Sequence, residues 1–329
     1  MFVLFAFLSL SCAYFAQDLK AQSEGTLLIA PRFDVDPAYS VSDKAWTVDL
    51  GTTSFYTFFD GNIGEHFSFS LGNHWLSFSD LSFDSTRDLY RNTWRADALN
   101  WVDWANVTFS YSGFFLSLGK DAMRIGTYEI DEYDYLSHWQ INSVFWNSYQ
   151  VYQWGGRFGW TNEDEDTMFS LSVTTDQLQE KPFSGDNFDQ YAITLTGMHD
   201  FDNVSLLASL SHCSLGVLGA LGLNINFTDD FALELGGYGA REYAGGNLKL
   251  LTGIGEKFDF FAKCGYDWGD SDDVLGFSGS RFYTGAGCYW YPLKENRDLK
   301  VHGLFSYDSG DNSLGLSFGL TYSLNLNIF

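Results

Sequence analysis

The chain has few basic residues, few prolines and few cysteines for its 329 residues. Lys and Arg number 18 against 42 Asp and Glu, which gives a net charge of -24. Binding to nucleic acid depends on cations that neutralise phosphates, so nucleic acid is excluded as a partner. The six histidines form no H-E-x-x-H motif and flank no G-x-S-x-G motif, and C-x-x-C is absent. The sequence therefore predicts a protein that is not an enzyme, without catalytic residues, a cofactor or a metal centre.

Long apolar runs are also scarce. Residues 1–21 begin with "MFVLFAFLSLSCAYFAQ", which predicts a signal peptide cut after position 16 or after Ala21. Beyond it, no run reaches the ~18 consecutive apolar residues of a membrane helix. Three cysteines remain, namely Cys213, Cys264 and Cys288, all inside alternating segments. An odd number of cysteines in an exported chain favours unpaired apolar side chains over a disulfide framework.

Aromatic residues and glycine are abundant, which favours an all-β fold. The last residues, "NSLGLSFGLTYSLNLNIF", alternate apolar and polar side chains from Ser313 to Ile328 without a break. This period of two indicates a strand with one apolar and one polar face. Its length exceeds the ~5–6 residues usual in globular proteins.

The same alternation recurs along the chain, and the charged residues fall in its polar phase. Tight turns such as "SG" (112–113) and "FDN" (201–203) are interspersed with longer connections such as 81–98 and 125–147. Apolar-out, polar-in strands with short turns at one end and longer loops at the other are typical of outer-membrane barrels. We predict one domain over 22–329, a transmembrane antiparallel β-barrel of about 16 strands (14 to 18), with short periplasmic turns and longer extracellular loops.

A chain that ends in a long alternating strand and an aromatic residue resembles the bacterial outer-membrane porins. The resemblance implies passive diffusion of small hydrophilic solutes or ions across the outer membrane of a Gram-negative bacterium. It also implies contacts with outer-membrane lipid and lipopolysaccharide, a homotrimer, and recognition of Tyr322 and Phe329 by the barrel-assembly machinery. Phe329 departs from the porin pattern because it falls one step out of the apolar phase.

The connection 125–147 follows the fifth strand in this count. In the porins that the chain resembles, the loop after the fifth strand folds into the lumen as a constriction. That implies an acidic constriction here, and the alternative is a solvated outer loop. The residues of the loop that would form the constriction are Glu129, Asp131, Glu132, Asp134 and His138. The cations in the polar phase of the strands, which could form a basic pore wall, are Arg157, Lys249, Lys263, Arg281 and Lys300. The two sets would create a transverse field, unless each cation pairs with a neighbouring carboxylate.

Several alternatives remain open at this stage. Acidic clusters at 84–88, 267–273 and 308–312 could bind Ca²⁺ weakly, although none has EF-hand spacing. His74, Ser77 and Asp80 are the one set close enough in sequence for a hydrolase at the outer rim. A structural or adhesive barrel, or a secreted soluble β-protein such as a carbohydrate-binding module, would show the same periodicity.

Overall fold

The computed structural model describes residues 23–50, 53–75, 102–122, 125–129, 141–148, 152–176, 191–270, 277–293 and 297–328. The predicted signal peptide and Phe329 lie outside these residues. The strands are β1 (Glu24–Ser40), β2 (Ala45–Asp49), β3 (Ser54–Ile63), β4 (Phe67–His74), β5 (Val102–Tyr111), β6 (Phe114–Ala122), β7 (Tyr152–Thr161), β8 (Thr167–Thr175), β9 (Tyr191–Phe201), β10 (Val204–Cys213), β11 (Gly216–Thr228), β12 (Phe231–Gly239), β13 (Tyr243–Ile254), β14 (Phe258–Gly269), β15 (Gly279–Trp290), β16 (Leu299–Asp308), β17 (Ser313–Tyr322) and β18 (Leu324–Asn327).

The strands form one closed antiparallel barrel. Consecutive strands from β3 to β17 pair with each other, and β1 pairs with β17 and β18 on one edge and with β2 and β3 on the other. Because β2 and β3 lie end to end along β1, and β17 and β18 do the same, the eighteen segments make 16 barrel strands. Closure leaves no unpaired edge, which a sheet in lipid requires. The predicted all-β barrel and its strand count are confirmed.

The alternation in the sequence corresponds to the two faces of the barrel wall. In the final strand, Phe318 and Leu320 are 54% and 45% exposed, whereas Ser317 and Thr321 are 4% and 8% exposed. Apolar side chains of this strand therefore point outward and polar ones inward, as predicted. Tyr322 points outward with them. Large exposed apolar side chains recur on the outer face of nearly every strand.

The two ends of the barrel differ in their connections. At one end the links are short, and the β5–β6 link is the two-residue turn Ser112 and Gly113, both with positive φ. Positive φ at both central residues matches the right-handed twist of a hairpin. Both termini of the described chain lie at this end. At the other end we expected mostly long loops, yet four of the eight links are short, at 41–44, 214–215, 240–242 and 309–312.

The connection between β6 and β7 follows the fifth barrel strand, as the sequence predicted. It contains a helix of five residues that the alternation gave no sign of, α1 (Val144–Ser148). In the described part of the chain, no helix has the length and apolar content to cross a bilayer.

Candidate functional site

Both described parts of the β6–β7 connection, residues 125–129 and 141–148, lie against the inner wall of the barrel. The Gly126 N–H donates to Ser209 Oγ on β10 at 2.8 Å. The backbone approaches so closely there that a Cβ on Gly126 would overlap the backbone of Ala208 and Ser209. Ile141, which is fully buried, fills the space above Gly285 on β15 in the same way. Glycine thus permits contact between loop and wall at two places more than 70 residues apart in sequence.

Glu129 is the polar centre of this contact. Its carboxylate lies 3.2 Å from Lys263 Nζ on β14, and both side chains are 0% exposed. It also accepts hydrogen bonds from the Ser143 N–H at 2.7 Å, the Ser143 hydroxyl at 2.8 Å and the Tyr238 hydroxyl at 2.6 Å. A buried ion pair is tolerated when further hydrogen bonds satisfy its remaining lone pairs. Glu129 therefore joins both parts of the loop to the wall.

Arg281 on β15 forms a second attachment. Its guanidinium lies 3.2 Å from Asp267 and 2.6 Å from Asp308, and it donates to the Asn142 carbonyl at 2.8 Å. Asp267 in turn accepts the Val144 N–H at 3.0 Å, at the start of α1. Three strands of the wall and the returning part of the loop therefore share one hydrogen-bonded network.

Apolar side chains complete the attachment. Phe145 and Trp146 of α1 are buried in a cluster with Leu218 and Cys213 of the wall. The indole of Trp146 donates to the hydroxyl of Tyr238. A second cluster joins Ile141 to inward-facing apolar side chains, and its members on the strands are Phe261, Tyr289 and Leu304. These inward residues interrupt the polar phase of β10–β16, and that interruption was the signal in the sequence that the wall is covered.

The predicted basic wall is paired with carboxylates. Lys249 lies 2.5 Å from Glu234, and the side chains are 1% and 3% exposed. Lys263 and Arg281 are paired as described above. The hypothesis of a basic strip facing an acidic loop across water needs correction here, because the one described acid of the loop, Glu129, touches the strip directly. Asp131, Glu132, Asp134 and His138 lie outside the described residues, so their place in a constriction stays a prediction.

Two further predicted wall cations, Arg157 and Lys300, are more accessible. Arg157 Nη2 lies 3.5 Å from Asp121, and the side chains are 21% and 35% exposed. Lys300 Nζ lies 5.2 Å from the centre of the Tyr289 ring. The role of either residue in a pore wall stays a prediction.

The alternative sites have the following positions. His74 Nδ1 lies 2.8 Å from Asp103, and Ser77 and Asp80 of the hypothetical hydrolase lie outside the described residues. Asp267 and Asp308, from two of the acidic clusters, bind Arg281, and cluster 84–88 is outside the described residues. Among described residues, no group of three or more His, Cys, Asp or Glu could hold a metal ion. Calcium binding stays a prediction. Cys213, Cys264 and Cys288 are free.

Solved structures that are similar to this chain include porins and an outer-membrane channel. The anion-selective porin from Comamonas acidovorans has a TM-score of 0.65 and 11% identity, with 92% of this chain and 100% of that chain covered. The outer membrane channel DcaP of Acinetobacter baumannii has a TM-score of 0.64 and 11% identity, over 93% and 98% of the two chains. A mutant of the Rh. blastica porin has a TM-score of 0.58 and 14% identity, over 92% and 99%. No protein-family model and no curated protein sequence matches the chain. The resemblance to porins is thus confirmed for the fold.

Proposed function

We propose that this chain is a porin of the outer membrane of a Gram-negative bacterium, which lets small hydrophilic solutes or ions diffuse passively. The observation that carries the proposal is a closed barrel of 16 strands whose outer face is apolar and exposed while its inner face is polar and charged. A barrel of this size is wide enough for an aqueous channel. A soluble protein would not expose apolar side chains around its whole circumference.

The path through the barrel follows from where the loop is attached. Residues 125–129 and 141–148 contact the inner wall from β10 to β16 and, at Ala192, the start of β9. In the described wall, the attachment leaves open the inner faces of β17, of β1–β8 and of the rest of β9. The mechanism needs no catalytic group, because the size and the charge of the passage determine what diffuses through it.

Charge on the inside favours cations. The buried carboxylates of the described residues are Asp34, Asp36, Asp103, Glu129, Asp176, Glu234, Asp259, Asp267 and Asp308, and the buried Lys and Arg residues are Arg32, Lys249, Lys263 and Arg281. Among these buried residues, the nine carboxylates outnumber the four Lys and Arg residues. Since rings or patches of charge set ion preference, we expect a cation-preferring pore. The similar porin from Comamonas acidovorans is anion-selective, and nothing requires this chain to share that preference.

The test is single-channel conductance of the refolded, detergent-purified protein in a planar bilayer, under a KCl gradient. Ohmic steps with a reversal potential of the sign for K⁺ support a cation-preferring pore. Steps with the opposite sign retain the pore and refute the charge argument. A barrel that migrates as a folded, heat-modifiable species but gives no steps refutes the pore and favours a structural or adhesive role. The same preparation can be examined for a homotrimer and for binding of lipopolysaccharide. The resemblance to porins implies both properties.

A further inference from the structure

Three apolar side chains occupy the inward phase of the wall that the loop attachment leaves open. They are Phe115 on β6, Met168 on β8 and Met198 on β9, in phase with the buried polar residues Ser117, Ser170 and Thr196 of the same strands. They belong to neither of the two apolar clusters that bind the loop to the wall. Among described residues, packing of the loop therefore does not account for them.

The three side chains adjoin one solvent-connected cavity at the short-turn end of the barrel. It has a volume of ≈ 630 Å³, and Phe115, Met168, Met198 and Arg157 are among its lining residues. This volume lies within the range of about 300–1,000 Å³ usual for small-molecule sites. The ring of Phe115 lies directly over Gly159, where a side chain would displace it. The apolar floor of the cavity is thus held in place by the wall beneath it.

Arg157 provides the polar end of this cavity. Its guanidinium carbon lies 5.5 Å from the centre of the Phe115 ring. Its ion pair with Asp121 is long, at 3.5 Å, and both partners are partly exposed, unlike the buried pairs of Lys249 and Lys263. A planar guanidinium binds a carboxylate through two parallel hydrogen bonds, so a ligand carboxylate can compete with Asp121. Glu65 and Glu165 also line the cavity, in exposed turns where solvent screens them.

From these observations we propose that the cavity is a binding site for small organic anions with an apolar body, such as a short-chain carboxylic acid. The carboxylate binds Arg157, and the hydrocarbon part lies on Phe115, Met168 and Met198. The site rests on the proposed pore function and adds a class of solute to it. An inner wall that served only inorganic ions would have no use for apolar side chains such as Met168 and Met198 at the edge of a cavity beside Arg157.

The test compares three probes as blockers of KCl current through the refolded protein, added to either side of the bilayer. Hexanoate has both features, acetate lacks the hydrocarbon body, and hexylammonium has the body with the opposite charge. Because each CH₂ group removed from water contributes to affinity, we expect hexanoate to reach half-block at a concentration at least about tenfold below that of acetate. Hexylammonium should block no better than acetate. A bilayer without protein controls for partition of the probes into lipid.

Variants assign the block to the site. Arg157→Gln should raise the half-block concentration of hexanoate by about tenfold, whereas Arg241→Gln, which removes an exposed cation at the opposite end, should not. Met198→Ser should weaken the block by hexanoate and leave the block by acetate unchanged. This variant provides the test if Arg157→Gln does not fold. Equal block by acetate and hexanoate, or block by hexylammonium as strong as by hexanoate, would overturn the proposal while KCl steps still establish the pore. Absence of KCl steps would instead refute the pore function itself.

Discussion

Replacing Lys263 by Met should release the loop from the wall while leaving the barrel intact. Lys263 is 0% exposed and its ammonium group lies 3.2 Å from Glu129, which is equally buried. Removing one partner of a buried ion pair usually costs about 3–5 kcal/mol, because the other charge is left without compensation. Glu129 keeps its hydrogen bonds from Ser143 and Tyr238, so we expect the lower end, about 3 kcal/mol.

The lost free energy destabilises the contact between the loop and the wall, and it leaves the hydrogen bonds between the strands unchanged. These are backbone hydrogen bonds that β14 makes with β13 and β15 over its whole length, and they do not involve the Lys263 side chain. Local opening of one segment can therefore occur without global unfolding. The Ser143 N–H reports this opening, since it donates to Glu129 at 2.7 Å.

Amide hydrogen exchange measures the predicted opening. A loss of about 3 kcal/mol corresponds to exchange about 100-fold faster at Ser143, with the amides of β14 unchanged. The exposed turn residue Lys257 is a matched control, because Lys257→Met makes the same chemical change away from the loop. Exchange at Ser143 within about threefold of the wild type would refute the claim that this ion pair holds the loop. The double variant with Glu129→Gln should exchange no faster than Lys263→Met alone, since the two sites are coupled.

Three further predictions concern other parts of the barrel. Gly126→Ala should also speed exchange at Ser143, because the new Cβ overlaps the backbone of β10 and must push residues 125–129 off the wall. The cation preference should shrink between 0.1 M and 1 M KCl, as the screening length falls from about 10 Å to about 3 Å, and a reversal potential that ignored salt would contradict the charge argument. Hydrogen bonds from Thr167 and Asn162 lower the pKa of Asp166, so its stabilisation of the β7–β8 turn is present above the unfolded pKa of about 3.9 and is lost as pH falls through the lower folded value. Asp166→Asn should remove this acid-dependent part of the unfolding free energy measured between pH 6 and pH 2.

The fold could be predicted because the signal is local. A strand in a barrel wall repeats its side-chain environment every two residues, so the polar and apolar phases of a segment such as 313–328 suffice to place its faces. The loop after the fifth strand could be located by counting. The four short links at the long-loop end were not predicted. In the alternation of the sequence, a short turn between two strands looks the same as an interruption within one strand, and only the turn residues distinguish them. The interruption between β2 and β3 was missed for the same reason.

The site could not be predicted to the same extent because its contacts are distant in sequence. Lys263 contacts Glu129 and Asn142, and Tyr283 contacts Glu129, which is 154 residues away in sequence. The periodicity of a strand contains no information about such contacts. Phase showed that Lys249, Lys263 and Arg281 point inward. The phase could not show that each of these cations pairs with a carboxylate. From the sequence, such pairing was only the alternative to a basic strip that faces an acidic loop across water.

Some apolar side chains point inward, at positions where the alternation of the sequence predicts polar side chains. In a wall whose inner phase is polar, an apolar side chain there needs an apolar cover. On β10–β16 that cover is present, because Leu218, Phe261 and Leu304 pack in the two clusters that contain α1 and Ile141. On β6–β9 the described loop supplies none for Phe115 and Met198, which line an open cavity instead. The same departure from the pattern therefore marks an internal contact on one side of the barrel and, on the other, a surface that suits the apolar part of a passing solute.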